Sequence, residues 1–135
     1  MKEELFKAKR KDNGEWIQGS LLVLDDGSYR IATSCLIGDF ENVLTVCAYD
    51  VDPDTVCQCT GLTDKNGNKI WDNDVVQVPR EDEYFRIEWN EDTASYVMNS
   101  NTLTVTFDNY WSHEVEVIGN IFDNKELLEG GETDE

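Results

Sequence analysis

Three groups of side chains in this sequence are of types that can do chemistry. The alternating carboxylates Asp50, Asp52 and Asp54 resemble sets that collect a divalent cation in metal-dependent hydrolases, since hard cations take oxygen ligands with water completing the shell. Pro53 interrupts that run, and strand-like segments flank it, which points to a solvated connection instead. A second stretch, Asp64-Lys65-Asn66-Gly67-Asn68 with Asp72 and Asp74, offers the oxygens of a calcium loop. An EF-hand loop starting at Asp64 needs glycine at its sixth position and glutamate at its twelfth, where Lys69 and Val75 stand. A tight hairpin turn at Asn66-Gly67 accounts for the same residues. Ser112 and His113 could supply two members of a hydrolytic triad, but neighbours on a strand point apart and no oxyanion-hole motif accompanies them. No catalytic, cofactor-binding or metal-binding residue is assigned.

The four cysteines stand at Cys35, Cys47, Cys57 and Cys59, without a Cys-x-x-Cys pair, and His113 is the only histidine. Structural zinc needs more ligands than that spacing offers. Cys57 and Cys59 fall on one face of a strand, so the expectation is small, packed, reduced thiols of a cytoplasmic protein.

These groups need elements to position them, and the composition supplies the material. The 135 residues include 39% hydrophobic residues, with four Trp, five Tyr and five Phe, enough for one packed domain despite the charge. No apolar run is long enough to cross a bilayer, and Met1 to Phe6 lacks the apolar core of a signal peptide. The expectation is a soluble protein with no membrane partner.

The formal net charge is −18, from 29 acidic and 11 basic residues. Such an excess repels phosphate backbones, because nucleic-acid binding depends on Lys and Arg displacing counterions. Five basic residues fall in the first eleven positions (Lys2, Lys7, Lys9, Arg10 and Lys11), leaving the remainder more acidic still. That cluster reads as one polar face of a first hairpin. The charge serves solubility, and it also suits a surface that binds a basic protein or competes with DNA for one.

Turn signals recur at short intervals, as in all-β domains. Asp12-Asn13-Gly14 separates Phe6 and Ala8 from the run Trp16 to Leu24, and Asp25-Asp26-Gly27 precedes Tyr29-Arg30-Ile31. Further strands are expected at Val43 to Tyr49, Val56 to Thr60, Val75 to Val78, Tyr96 to Met98, Leu103 to Phe107 and Val115 to Ile118. Phe85, Ile87 and Trp89 alternate with Tyr84, Arg86 and Glu88, the period of a half-buried strand. Glu81-Asp82-Glu83 reads as a charged turn. One short helix is expected after Asp123 or Asn124, docked by Leu127 and Leu128 and ended by Gly130-Gly131. The predicted fold is all-β: an SH3-like, partly closed barrel with an N-terminal β-hairpin extension and a short C-terminal helix. Residues 1–54 form the extension, 55–129 the barrel core and helix, and 130–135 a disordered acidic tail.

Three blocks carry a family resemblance. They are Phe6-Lys7-Ala8 with Gly14 to Leu21; Gln58 with Thr60-Gly61-Leu62, Asp64 to Gly67, Ile70 and Asp74-Val75-Val76; and Glu116 to Asn124 with Glu126-Leu127-Leu128. In order and spacing they resemble the YopX family of bacteriophage and prophage proteins. Cys57, Cys59, Asn73 and Lys125 depart from the glycine, aromatic, glycine and proline expected there. The resemblance implies a small β-rich phage or prophage protein acting in the cytoplasm of a bacterial host. It implies no reaction, so no catalytic residue follows from it.

The expected function is therefore a non-enzymatic accessory protein that binds a host or phage protein and possesses no cofactor, with self-assembly as a further property. Tyr110, Trp111 and His113 are the candidate interaction surface, because amphipathic aromatics are enriched at interfaces. An acidic anti-defence or DNA-competing decoy and a metal-dependent hydrolase are the alternatives.

Overall fold

The strand ladders of the computed structural model, which describes residues 5–36, 44–79 and 83–129, are antiparallel throughout. The tail 130–135, the Gly130-Gly131 stop and most of the Glu81-Asp82-Glu83 turn lie outside the described residues. The chain forms two compact units, Met1–Gln58 and Cys59–Glu135. Their division falls inside a strand, whereas the sequence reading placed the boundary at 54/55.

The first unit is a four-stranded meander rather than a single hairpin. Strands β1 (Phe6–Lys9), β2 (Trp16–Val23), β3 (Tyr29–Leu36) and β4 (Leu44–Val51) pair in sequence order. A single 3-10 turn, Pro53–Thr55, then leads to β5 (Cys57–Thr63), whose first residues pair with β1. Alternation turns Ala8, Ile31 and Val51 into a fully buried core, with Phe6, Ile17, Leu21, Tyr29 and Val56 packed around it. Gly19 permits the close approach of β3, because a Cβ there would overlap the Ala32 carbonyl oxygen and lie 3.1 Å from Ile31 Cγ2.

This meander curls until its outer strands touch. Arg10 pairs with Val51; Lys11 N–H donates to Asp50 O at 3.0 Å and Asp52 N–H to Lys9 O at 2.9 Å. Thr55 secures the contact by accepting from Lys9 N–H at 2.9 Å while its hydroxyl donates to Asp52 O at 2.7 Å. The contact involves one residue pair, so this is an edge closure and not a barrel.

In the second unit the end of β5 pairs with β6 (Lys69–Trp71). A five-stranded sheet follows, built from β7 (Asp74–Gln77), β8 (Tyr84–Asn90), β9 (Ser95–Asn99), β10 (Thr104–Thr106) and β11 (Glu116–Asn120) in the order β10-β9-β8-β7-β11. Strands β10 and β11 are its two edges and do not pair with each other, so the barrel expected over 55–129 is an open sheet. Ile70, Val76, Phe85, Ile87, Met98, Phe107 and Val115 form its core. Burying a side chain such as Ile87 or Met98 contributes on the order of 1.5–3 kcal/mol, which makes this face the main source of the unit's stability. Two single-turn helices complete it: α1 (Asn109–Ser112), which the sequence did not lead us to expect, and α2 (Glu126–Glu129), which packs on β8 as the C-terminal helix was expected to dock.

The turn between β5 and β6 is anchored by a buried carboxylate. Asp64 is 2% exposed and accepts from the N–H groups of Asn66, Asn68 and Val117, each at 2.9 Å, and from Asn68 Nδ2 at 3.3 Å. Lys65 N–H adds a bond to Val115 O at 3.0 Å. Burial works against the charged form of Asp64, but these donors outweigh it and hold the carboxyl below its usual range. The turn itself corrects the two-residue geometry expected at Asn66-Gly67. Gly67 N–H donates to Asp64 O at 3.0 Å, so Lys65 and Asn66 are the central residues and Gly67 follows them at φ 88°. Asn66 itself does not have positive φ.

Two outcomes follow for the second unit. Gly67→Ala should cost about 1 kcal/mol, because no atom obstructs the new methyl and only the backbone conformation is strained, whereas Asn66→Ala should stay within about 0.5 kcal/mol. Denaturant melts of both variants check this, and equal losses would put the strain elsewhere. Asp64→Ala should cost about 2 kcal/mol through three part-buried backbone amides left without their acceptor. Because its folded value is depressed, the stability Asp64 supplies is present above the ordinary carboxylate range and disappears as pH falls through the lowered value. Thermal melts across acid pH should therefore decline in the wild type more steeply than in Asp64→Asn.

Candidate protein-interaction surface

The β8–β9 hairpin sets the first half of the surface. Its register places Trp89 opposite Tyr96, and the rings meet edge to face with centroids 5.1 Å apart and planes at 75°. Asn90 fixes the connecting turn, its Oδ1 accepting from Asp92 N–H at 2.9 Å and Thr93 N–H at 3.3 Å. Trp89 shares a face with Phe85 and Ile87, yet it is 47% exposed where they are buried, because it lies at the end of the strand beyond the core.

The second half follows from β10. Phe107 N–H donates to Tyr96 O at 3.0 Å, which ties the segment after β10 to the hairpin. Asp108 then caps α1: its backbone is extended and its Oδ1 accepts from Tyr110 and Trp111 N–H at 3.1 and 3.3 Å. The cap presents Tyr110 outward, 65% exposed, and turns Trp111 back against the core. The two rings are again edge to face, 5.2 Å apart at 80°. Ser112 is buried and donates to Asn109 O at 3.0 Å, while His113 is exposed and closes the helix. The expected surface thus keeps Tyr110 and His113 at its outside, with Trp111 as half-buried support. Ser112 and His113 point to different environments and form no dyad.

Asp72 is a charge felt at the Tyr96 ring. Burial pushes the Asp72 carboxyl above its usual range, with Arg86 opposing and Glu88 adding to the shift. Burial likewise raises the Tyr96 phenol to about 12, helped by the fields of Asp72 and Cys59. Arg86 Nη2 donates to Asn73 Oδ1 at 2.9 Å, and Asn99 Nδ2 donates to Glu88 Oε2 at 2.8 Å. Asn73 has φ 73°, which explains why glycine fits that position in the resemblance drawn from the sequence.

The other groups singled out from the sequence have structural partners. Asp50 lies on the surface with Oδ1 3.1 Å from Arg30 Nε. Asp52 caps the 3-10 turn by accepting from Asp54 N–H at 3.0 Å, and Asp54 is exposed within that turn. Among the described residues no three His, Cys, Asp or Glu side chains come together as a metal site. Cys57 and Cys59 are buried, the Cys57 thiol donating to Thr55 O at 3.3 Å, but Cys47 is disulfide-bonded, which corrects the expectation of reduced thiols throughout. The basic N-terminal cluster is used internally: Lys7 and Lys9 Nζ lie 4.6 and 5.4 Å from the Trp16 ring centroid, and Arg10 lies 4.2 Å from that of Tyr49.

Trp89 was missed because strict alternation assigns it to the core. The cap at Asp108 could have revealed α1, since an Asp before a short apolar pair is a helix-start signal.

A family model described as YopX protein matches residues 5–129. The crystal structure of protein EF1440 from Enterococcus faecalis is similar, with a TM-score of 0.65 and 20% sequence identity over 95% of this chain and 99% of that one. None of the curated proteins matches the chain.

Proposed function

This chain belongs to the YopX family, and from that premise we propose that it is a non-enzymatic protein-binding module, an accessory protein of phage or prophage origin acting in the cytoplasm of a bacterial host. The observation that carries the binding reading is the pair of edge-to-face aromatic contacts that leaves Trp89 and Tyr110 exposed on one unit. Exposed aromatics supported from beneath by other rings supply large contact area at little entropic cost, as interface anchors do. The non-enzymatic reading is supported by the structural employment of Asp52, Ser112 and Asp64, each committed to a cap, a helix or a turn. Asp50 beside Arg30 and Asp52 bonded to the backbone weigh against the metal-dependent hydrolase. No described helix is long and apolar enough to cross a membrane. The Cys47 disulfide runs against a fully reducing compartment, so the cytoplasmic setting rests on the family resemblance.

The acidic decoy is a second reading, favoured by the absence of any Lys or Arg between Arg86 and Lys125. Affinity capture of the tagged protein from bacterial lysate, at low and moderate salt, separates the two. An aromatic-centred partner persists at moderate salt and is lost with Tyr110→Ala or Trp89→Ala. A decoy's partner is lost with salt and is indifferent to both substitutions.

A further inference from the structure

The outer strand of a sheet keeps a row of backbone donors and acceptors without partners, and that row is a template for another chain. Most edges of the described sheets are guarded or short. Along β11, Val117 N–H is taken by the Asp64 carboxylate, while β6 and β10 have three residues each, with Lys69 opening β6. Strand β4 is different. It is eight residues long, and Leu44 to Tyr49 contains no charge and no proline, the devices that keep natural edges apart.

The edge closure shows which backbone groups of β4 face outward. Asp50 O accepts from Lys11 N–H and Asp52 N–H donates to Lys9 O, so these even-numbered residues direct their peptide groups away from β3. With a period of two, Ala48 and Val46 do the same, and no described residue bonds them on that side. The side chains of both lie on the exposed face. Val46 is 71% exposed, more than any other large hydrophobic residue described.

Charge selects the occupant. Residues 1–58 hold six of the 11 basic residues and eleven of the 29 acidic ones, so most of the net charge of −18 lies in the second unit. A second copy approaching by β4 therefore meets an uncharged segment of the less acidic unit. The segment is also self-complementary in antiparallel pairing. Outward-facing residues must oppose one another, which sets Val46 against its counterpart or against Ala48 and keeps the two Asp50 side chains apart. A basic foreign strand would find no carboxylate between Leu44 and Tyr49, so nothing in the edge selects it.

We propose that two copies of this chain pair antiparallel along β4, joining their first units into one continuous sheet about a two-fold axis near Val46. The contact is made by backbone bonds of the first unit and does not depend on the aromatic surface of the second.

Sedimentation velocity of the full chain from about 1 µM to about 1 mM, the range suited to a small edge contact, should show a monomer–dimer equilibrium that tightens as salt screens the acidic chains. Ala48→Pro removes an outward N–H without touching the β3 ladder, and Val46→Lys puts like charges at the axis; each should weaken the dimer at least about 10-fold. Val23→Lys, at an exposed apolar position of the interior strand β2, should leave it unchanged. Matching melting temperatures show that the variants are folded. In the wild type, amide exchange followed by NMR should slow at Val46 and Ala48 as concentration rises. A monomer at every concentration, or a dimer that survives both Ala48→Pro and Val46→Lys, would overturn the proposal. So would a dimer lost with Tyr110→Ala and kept by the edge variants, which would put self-association on the aromatic surface.

Discussion

The buried Asp64 carboxylate is the constraint on which the second unit depends. Three backbone amides from two chain segments converge on it, and the bond to Val117 ties the β5–β6 turn to β11. The companion bond from Lys65 to Val115 fixes the residue just before that strand, and Val115 N–H in turn bonds Trp111 O at 3.1 Å. The turn therefore sets where α1 ends, and α1 sets where Tyr110 and Trp111 stand. A single acid at the centre of a loop does the work that the calcium-like spacing of the same residues suggests at first sight.

Charge is distributed unevenly, and the unevenness has consequences. The first unit spends its cations on itself, stacking Lys7, Lys9 and Arg10 on Trp16 and Tyr49. Each such contact is worth about 0.5–1 kcal/mol at an exposed site, so these rings are already satisfied within the chain. In the second unit Tyr96 lies within the field of Asp72, which in turn feels both Arg86 and Glu88. Burial raises both Asp72 and Tyr96, and the Arg86 guanidinium opposes the shift at Asp72.

Much of the fold was legible in the sequence. The strand positions follow from period-two alternation and from turn residues, and β8 over Tyr84–Asn90 is the clearest example. Less legible was how strands close. The edge contact between Arg10 and Val51 joins residues forty-one positions apart through backbone bonds, which leave no pattern in side-chain types. The open sheet of the second unit was mistaken for a partly closed barrel for the same reason. At the candidate site, Tyr110 and Trp111 were legible as amphipathic aromatics, but their division into exposed and supporting rings needed the Asp108 cap. Trp89 was hidden because alternation reports which face a residue occupies, not how far the core extends along the strand.

The central claim, that the aromatic surface of the second unit is where a partner binds, is tested most directly by the indole N–H resonances of nitrogen-15-labelled protein titrated with a captured partner. The four tryptophans are well placed for this: Trp71 is 4% exposed, Trp16 lies under the chain's own lysines, and Trp89 and Trp111 belong to the proposed surface. The account predicts that Trp89 and Trp111 shift on titration while Trp16 and Trp71 stay in place. Shifts confined to Trp16, with Trp89 and Trp111 unmoved, would contradict it.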